Sequence, residues 1–255
     1  MQKPLLTFLL LIFSNLQTFS QVDSAKIAQD TVAVKGPTKV NFKSLAIPAA
    51  FISYGLISLT GDNAIRRLDF TTNAELREDH PDFAFKVDNY TRYVPAVAVY
   101  ALDFLGVKAK NNMADRTIML ATSLVVASAS VGALKIIVGR TRPNSLNNVS
   151  FPSGHTALAF MTAEFLNQEY KDHSVWYSIS GYAMATGTGI LRLYNNAHWV
   201  SDVVAGAGFG ILSTKVTYLV YPYIRKKLFH NKPVNMMISP DYQNGNMGFS
   251  LIKRF

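Results

Sequence analysis

Between Lys135 and Asp202, three short polar motifs interrupt sequence that is otherwise apolar and helical in pattern: KIIVGRTRP (Lys135–Pro143), FPSGH (Phe151–His155) and RLYNNAHWVSD (Arg192–Asp202). Each puts charge where burial penalises it, so a fold that keeps them inside has to give them partners. His198 and Asp202 are four residues apart. On a helix they share a face, and the carboxylate can accept a proton from one imidazole nitrogen while the other, unprotonated, points outward. A histidine oriented this way is a recurring arrangement for a nucleophile or a general base. Arg192, six residues earlier, is expected to close the preceding helix and reach back across the loop.

In the first motif Lys135 and Arg142 are seven residues apart, two helical turns, and Pro143 argues that the helix stops there. The helix end would deliver two cations to one place, Arg142 suited to bidentate contact with phosphate oxygens and Lys135 supplying a compact charge. Arg140, between them, is expected to face solvent or a headgroup. The middle motif reads as a helix start, with Ser153 and Gly154 ahead of the apolar run TALAFM. Free backbone N–H groups and the positive end of the helix dipole make such a start an anion site. Ser153 can add its hydroxyl, Gly154 allows close backbone approach, and His155 sits where it can give a proton to a leaving oxygen.

Taken singly, these features have ordinary readings: a satisfied core histidine, a helix end before proline, a surface cap, an N-cap serine. Taken in this order, KxxxxxxRP, PSGH and RxxxxxHxxxD resemble the signature of the type 2 phosphatidic acid phosphatase (PAP2) superfamily, which shares its site with bacterial class A acid phosphatases and vanadium-dependent haloperoxidases. The resemblance covers roughly residues 90 to 222. Leu191 departs from the family's usual serine before the arginine of the third motif. The resemblance implies that His198 attacks phosphorus, Asp202 orients it and His155 protonates the leaving group. It also implies that Lys135, Arg142, Arg192, Ser153 and the Gly154 amide hold the phosphoryl oxygens, with no metal or cofactor.

Composition narrows the setting. Only 16% of the 255 residues are charged and 49% are apolar, which favours membrane contact, although the mean hydropathy of +0.14 is low for a chain that is all transmembrane. The net charge of +9 fits anionic lipid headgroups and phosphate, since no nucleic-acid motif accompanies it. With no cysteine, disulfides, thiol catalysis and Cys-type zinc sites are excluded, and His80, His173 and His230 show no metal-ligand spacing.

Along the chain, residues 1–20 read as a secretory signal peptide and 21–43 as a polar arm. Residues 44–230 read as a PAP2-like helical phosphatase domain. The tail 231–255 reads as a possible β-hairpin, with the turn residues Asp241, Asn244, Gly245 and Asn246 between MMIS and GFSLIKRF. The stretch 44–60 is an apolar helix, 61–92 is polar, and 93–107 is a short apolar helix expected to be buried rather than to cross. Residues 117–138, 22 long with Lys135 as the one charge, are the best transmembrane candidate. The apolar part of the PSGH helix, about 12 residues or roughly 18 Å, is short against hydrocarbon about 30 Å thick. Lys108, Lys110, Arg116, Lys171 and Arg225–Lys227 lie at ends that would be cytoplasmic, which puts the motifs on the periplasmic side. With 93–107 not crossing, 62–92 and 144–150 fall on opposite sides.

The expected architecture is thus an all-α, membrane-associated bundle of about six helices. The expected function is metal-independent removal of phosphate from a lipid phosphate or diphosphate of the phosphatidic acid, phosphatidylglycerol phosphate, polyprenyl diphosphate or lipid A type, through a phosphohistidine. The expected place is a bacterial inner membrane, with a peripheral periplasmic protein as the rival. The rival chemistries are a vanadate-dependent haloperoxidase and a non-catalytic lipid-phosphate binder.

Overall fold

The structure, a computed structural model, describes residues 42–229 and the strand segments 236–243 and 246–253. The expected signal peptide and nearly all of the polar arm lie outside these residues. After a 3-10 turn (Phe42–Leu45) come α1 (Ala46–Ile57), α2 (Ala64–Asp79), the single turn α3 (Asp88–Thr91), α4 (Val94–Phe104), α5 (Met113–Val138), α6 (Gly154–Tyr170), α7 (Val175–Tyr194) and α8 (Val200–Phe229). The tail forms strands β1 (Met236–Gln243) and β2 (Asn246–Lys253), paired antiparallel with Gln243 opposite Asn246.

Helix α6 is the centre of the bundle, packed against α8, α7, α4 and α5. Ala159 and Ala163 meet Ala185 of α7, and Phe165, Leu166 and Tyr170 join Val99 of α4 in a second buried cluster. None of the exposed large apolar side chains among the described residues belongs to α6, whereas the surrounding helices carry many: Val97 (63%), Val125 (67%), Ile136 (83%) and Trp176 (71%) among them. A wrapped helix needs no apolar outer face, which explains why the apolar run of the PSGH helix is so short. Its polar residues are satisfied inside: Glu164 takes Lys215 (2.9 Å), Tyr182 and Gln168, while Glu169 takes Asn111 and Tyr218.

Two helices, Met113–Val138 and Val200–Lys227 within α8, are long and apolar enough to cross a membrane by length and composition. Only 22% of the most apolar window of α5 is buried, so most of its apolar surface faces outward rather than into the core of the bundle.

Close packing of α8 on α6 rests on glycine. A Cβ at Gly210 would lie 2.2 Å from the Ala157 carbonyl oxygen and 2.8 Å from the Met161 nitrogen, both backbone atoms that cannot rotate away. Gly210→Ala should therefore destabilise the bundle by about 2 kcal/mol, as overpacking does. Thermal unfolding in detergent would show a midpoint lowered by several degrees, and an unchanged midpoint would contradict this packing.

The long helices alternate in direction. Ser58 at the end of α1 reaches Arg140 just beyond the end of α5, and α4 runs from Arg92, near His155, to Asp103, which pairs with Arg116 at the start of α5 (2.6 Å). Helix α4 therefore traverses the bundle despite its 11 residues, and Phe104 (89% exposed) and Val97 lie on its outside. The expectation that 93–107 is buried fails, since Val97, Phe104 and Leu105 are exposed: the apolar run serves an outward face rather than a core one. The expected separation of 62–92 from 144–150 fails too, because residues of 62–92 bond directly to residues of the three motifs at one end of the bundle.

Candidate active site

Each cation reaches the site through helical spacing. On α5 the buried residues Met119, Ser123, Ala127 and Val131 repeat every four positions, and Lys135 continues that stripe inward. On α7 the buried series Gly181, Ala185, Thr188 and Gly189 leads in the same way to Arg192. Helix α5 ends at Val138, with Gly139 in a left-handed cap (φ 57°), so Arg142 comes from the loop beyond rather than from the same helix as Lys135. The loop still returns it, with Arg142 N–H donating to the Asn147 carbonyl at 3.0 Å.

The FPSGH motif starts α6 as expected. Ser153 is the N-cap, its Oγ accepting from Thr156 N at 3.4 Å, and it is fully buried. A Cβ on Gly154 would touch Val131 Cγ1 and Lys135 Cε, which puts the lysine beside the first turn of α6. Lys135 Nζ donates to the Val149 carbonyl at 2.5 Å. His155, on that first turn, is 2.8 Å from Asn89 Oδ1 through Nε2.

His198 and Asp202 are not both on a helix. Helix α8 begins at Val200, so His198 precedes it, while Asp202 sits on its first turn and accepts from Trp199 N at 3.0 Å in the manner of a capping box. The two side chains still meet, His198 Nδ1 lying 3.6 Å from Asp202 Oδ2, just beyond hydrogen-bond length. Asp202 Oδ2 also accepts from Ser150 Oγ at 2.5 Å, and Oδ1 from Arg140 Nη1 at 2.8 Å.

Arg140 overturns its expected exposure. Its side chain is only 13% exposed, bridging Asp69 (2.7 Å) and Asp202 (2.8 Å), with Ser201 Oγ at 2.7 Å from Nη1 and Trp199 over its plane. The helix had ended before it, so helical periodicity no longer set its direction. Arg142 and Arg192 differ: each has a buried Nε–H without a partner among the described residues. Arg116 and Arg225, at the opposite end, have the same open Nε–H, so Arg142 and Arg192 are set apart by their place beside His198 and His155 rather than by that donor. Arg192 is held by Asp88 of α3 at 2.5 Å.

The charges share one field. Burial first, then Lys135 and Arg192, push the His198 imidazole down to about 4 against the upward pull of Asp202. His155 is pushed to about 3 by burial, then Arg192 and Arg92, with His198 also acting on it. Burial and Arg192 also draw Arg142 downward. Both imidazoles are therefore neutral near pH 7, His198 with a lone pair available. All the sequence-selected groups thus converge on one end of the bundle. Sequence reading missed Asp88, Asn89 and Ser150, which bond to these groups, and Asp69, which reaches Asp202 through Arg140.

A histidine–carboxylate pair and a second histidine at a helix start lie here among three inward cations, and over residues 116–226 the chain matches the family model for the PAP2 superfamily. Among its relatives, a lipid A 1-phosphatase of Porphyromonas gingivalis is 34% identical over 199 residues, covering 78% of this chain and 43% of that protein. Another lipid A 1-phosphatase, from Rhizobium etli, is 31% identical over 119 residues, 40% of this chain and 49% of that one. The chain thus spans less than half the length of these curated relatives. Two solved structures are similar: Aquifex aeolicus LpxE (TM-score 0.43, 23% identity, 56% of this chain and 92% of that one) and a transmembrane PAP2-type phosphatidylglycerolphosphate phosphatase from Bacillus subtilis (TM-score 0.45, 19% identity, 73% and 99%).

Proposed function

We propose that the chain is a metal-independent lipid phosphatase working through a phosphohistidine, with a lipid A 1-phosphate as the first candidate substrate because both curated relatives carry that activity in their names. The observation that carries the reading is the buried, neutral His198 beside Asp202, in the field of Lys135 and Arg192. Asp202 accepts the Nδ1 proton, leaving Nε2 to bond to phosphorus. The charge of the bound phosphate lets His155 take up a second proton, and as the P–O bond to the lipid breaks, His155 gives that proton to the departing oxygen and returns to the neutral ring. Lys135, Arg142, Arg192, Ser153 and the Gly154 amide meet the charge on the phosphoryl oxygens. Water, its proton taken by His155, then opens the phosphohistidine and frees inorganic phosphate.

The membrane setting is supported by the two long apolar helices and the exposed apolar belt. Lys108, Lys110, Arg116, Lys171 and Arg225–Lys227 gather at the end opposite the motifs, where Lys110 pairs with Asp172 and Arg225 with Asp115. A cation-rich cytoplasmic end leaves the site facing the periplasm. Cysteine probes at residues 62 and 145 should then label from the same, periplasmic, side and a probe at 110 from the other; labels split between 62 and 145 would contradict this orientation.

The activity test is phosphate release in detergent with a chelator present, from lipid A, phosphatidic acid, phosphatidylglycerol phosphate and a polyprenyl diphosphate. Release from at least one, undiminished by chelator, is expected. Silence on the whole panel, or dependence on a divalent ion, would end the proposal.

A pH effect follows from Arg92, whose charge holds the His155 imidazole down. Removing that cation raises the folded-state pKa, so the acid stays protonated to higher pH. Arg92→Gln should shift the alkaline limb of kcat upward by roughly half a unit, the scale of one partly solvated charge. A limb that moves down would contradict the assignment of His155 as the acid.

A further inference from the structure

Asp69 lies on α2, outside the segment matched by the family model, and yet it is 1% exposed and aimed at the site. A buried carboxylate costs several kcal/mol unless it is fully partnered, so its partners are informative. Its Oδ2 accepts from Arg140 Nη2 at 2.7 Å and from Ser201 Oγ at 2.6 Å, and its Oδ1 from Ser201 N at 2.8 Å. Arg140 then spends Nη1 on Asp202 Oδ1 at 2.8 Å and on Ser201 Oγ at 2.7 Å. The result is a closed ring of Asp69, Arg140 and Ser201, from which Arg140 reaches out to hold Oδ1 of Asp202 and leaves its Oδ2 toward His198.

We infer that Asp69 is a positioning residue for the nucleophile, holding Arg140 so that Asp202 presents one oxygen to His198 Nδ1. The inference rests on the proposed phosphatase reading. Arg140 alone could swing its planar fork toward the phosphate, where Arg142 and Arg192 already have free donors; Asp69 pins it away. The ring also explains why a third arginine can sit beside the cradle without drawing the anion off His198. Helix α2 thereby becomes part of the site although it contributes no group that touches substrate. The crevice lined by Asp69, Thr72, Asn73, His198 and Trp199 shows how closely this helix borders the nucleophile.

Asp69→Asn keeps the shape and one acceptor while removing the charge that fixes Arg140. On whichever lipid phosphate the parent hydrolyses, kcat should fall about tenfold, the usual scale for losing a supporting hydrogen-bond partner, with KM and inhibition by inorganic phosphate changed less than about twofold. Placed in an Arg140→Gln background, Asp69→Asn should cause no further loss, because its effect passes through that arginine. Ser201→Ala, which deletes the bridging hydroxyl without touching charge, should give the same signature at about threefold and serves where Asp69→Asn fails to fold. Asp62→Asn, in an exposed pair with Arg67 just before the same helix, should act like the parent.

A silent parent would count against the phosphatase reading. With an active parent, three results would overturn the role of Asp69: both variants within twofold of parental kcat, losses that add in full to that of Arg140→Gln, or phosphate inhibition weakened in step with kcat. The last would make Asp69 a support of the fold or of the cradle instead.

Discussion

Replacing His198 by alanine should lower phosphate release by at least ~10⁴-fold, since the proposed route has no second nucleophile. Asp202→Asn should cost about 10³-fold, because the side-chain amide cannot satisfy its surroundings. Oδ1 faces Arg140 and Oδ2 faces Ser150 Oγ, Trp199 N and His198 Nδ1, so every neighbour is a donor. An amide must turn its own donor toward one of them, and Nδ1 of His198 loses the charge that holds its proton. The direct check is a rapid quench of labelled lipid phosphate under alkaline conditions, in which phosphohistidine survives. Parent protein should retain label that acid removes, Asp202→Asn should retain less, and His198→Ala none. Turnover or label persisting in His198→Ala would place the nucleophile elsewhere and dismantle the proposal.

The three motifs were legible because the chemistry demands fixed residue types over short distances. Lys135 follows an inward stripe with a four-residue repeat, Ser153 caps the helix it begins, and Asp202 lies within a turn of His198. His198 and Asp202 do come together, at 3.6 Å, but through a capping turn and not the shared helical face their spacing suggests. Asp69, Asp88 and Asn89 were invisible because they approach from far along the chain: Asp69 and Ser201 are 132 residues apart, Asp88 and Arg192 104, Asn89 and His155 66. No local period reports such pairings. One signal was available in retrospect: Asn63 caps α2, its Oδ1 accepting from Arg66 N at 3.0 Å, so the polar stretch after α1 is a helix rather than a connection. Asp69 sits on that helix. The bundle was legible from its apolar runs, whereas the passage of α4 along it was not, because length alone cannot distinguish an 11-residue helix that traverses the fold from one tucked inside it.

His155→Ala should separate two kinds of substrate. Its imidazole lies at about 3, depressed by burial and by the cations Arg192 and Arg92, and it donates to Asn89 as a neutral ring. A bound phosphate brings negative charge next to the ring and raises its affinity for a proton, so the acid forms only when substrate is present. Removing it should cost 10²–10⁴-fold on a lipid phosphate, whose alkoxide cannot leave unprotonated. On p-nitrophenyl phosphate, whose phenolate leaves without help, formation of the phosphohistidine should slow less than about tenfold while its hydrolysis, still lacking a base, slows severely. Stopped-flow absorbance should therefore show a nitrophenol burst close to one per enzyme followed by slow turnover, where the parent shows a smaller burst or none. Equal losses on the two substrates, with no burst, would remove His155 from the proton transfer and return it to Asn89 as a packing contact.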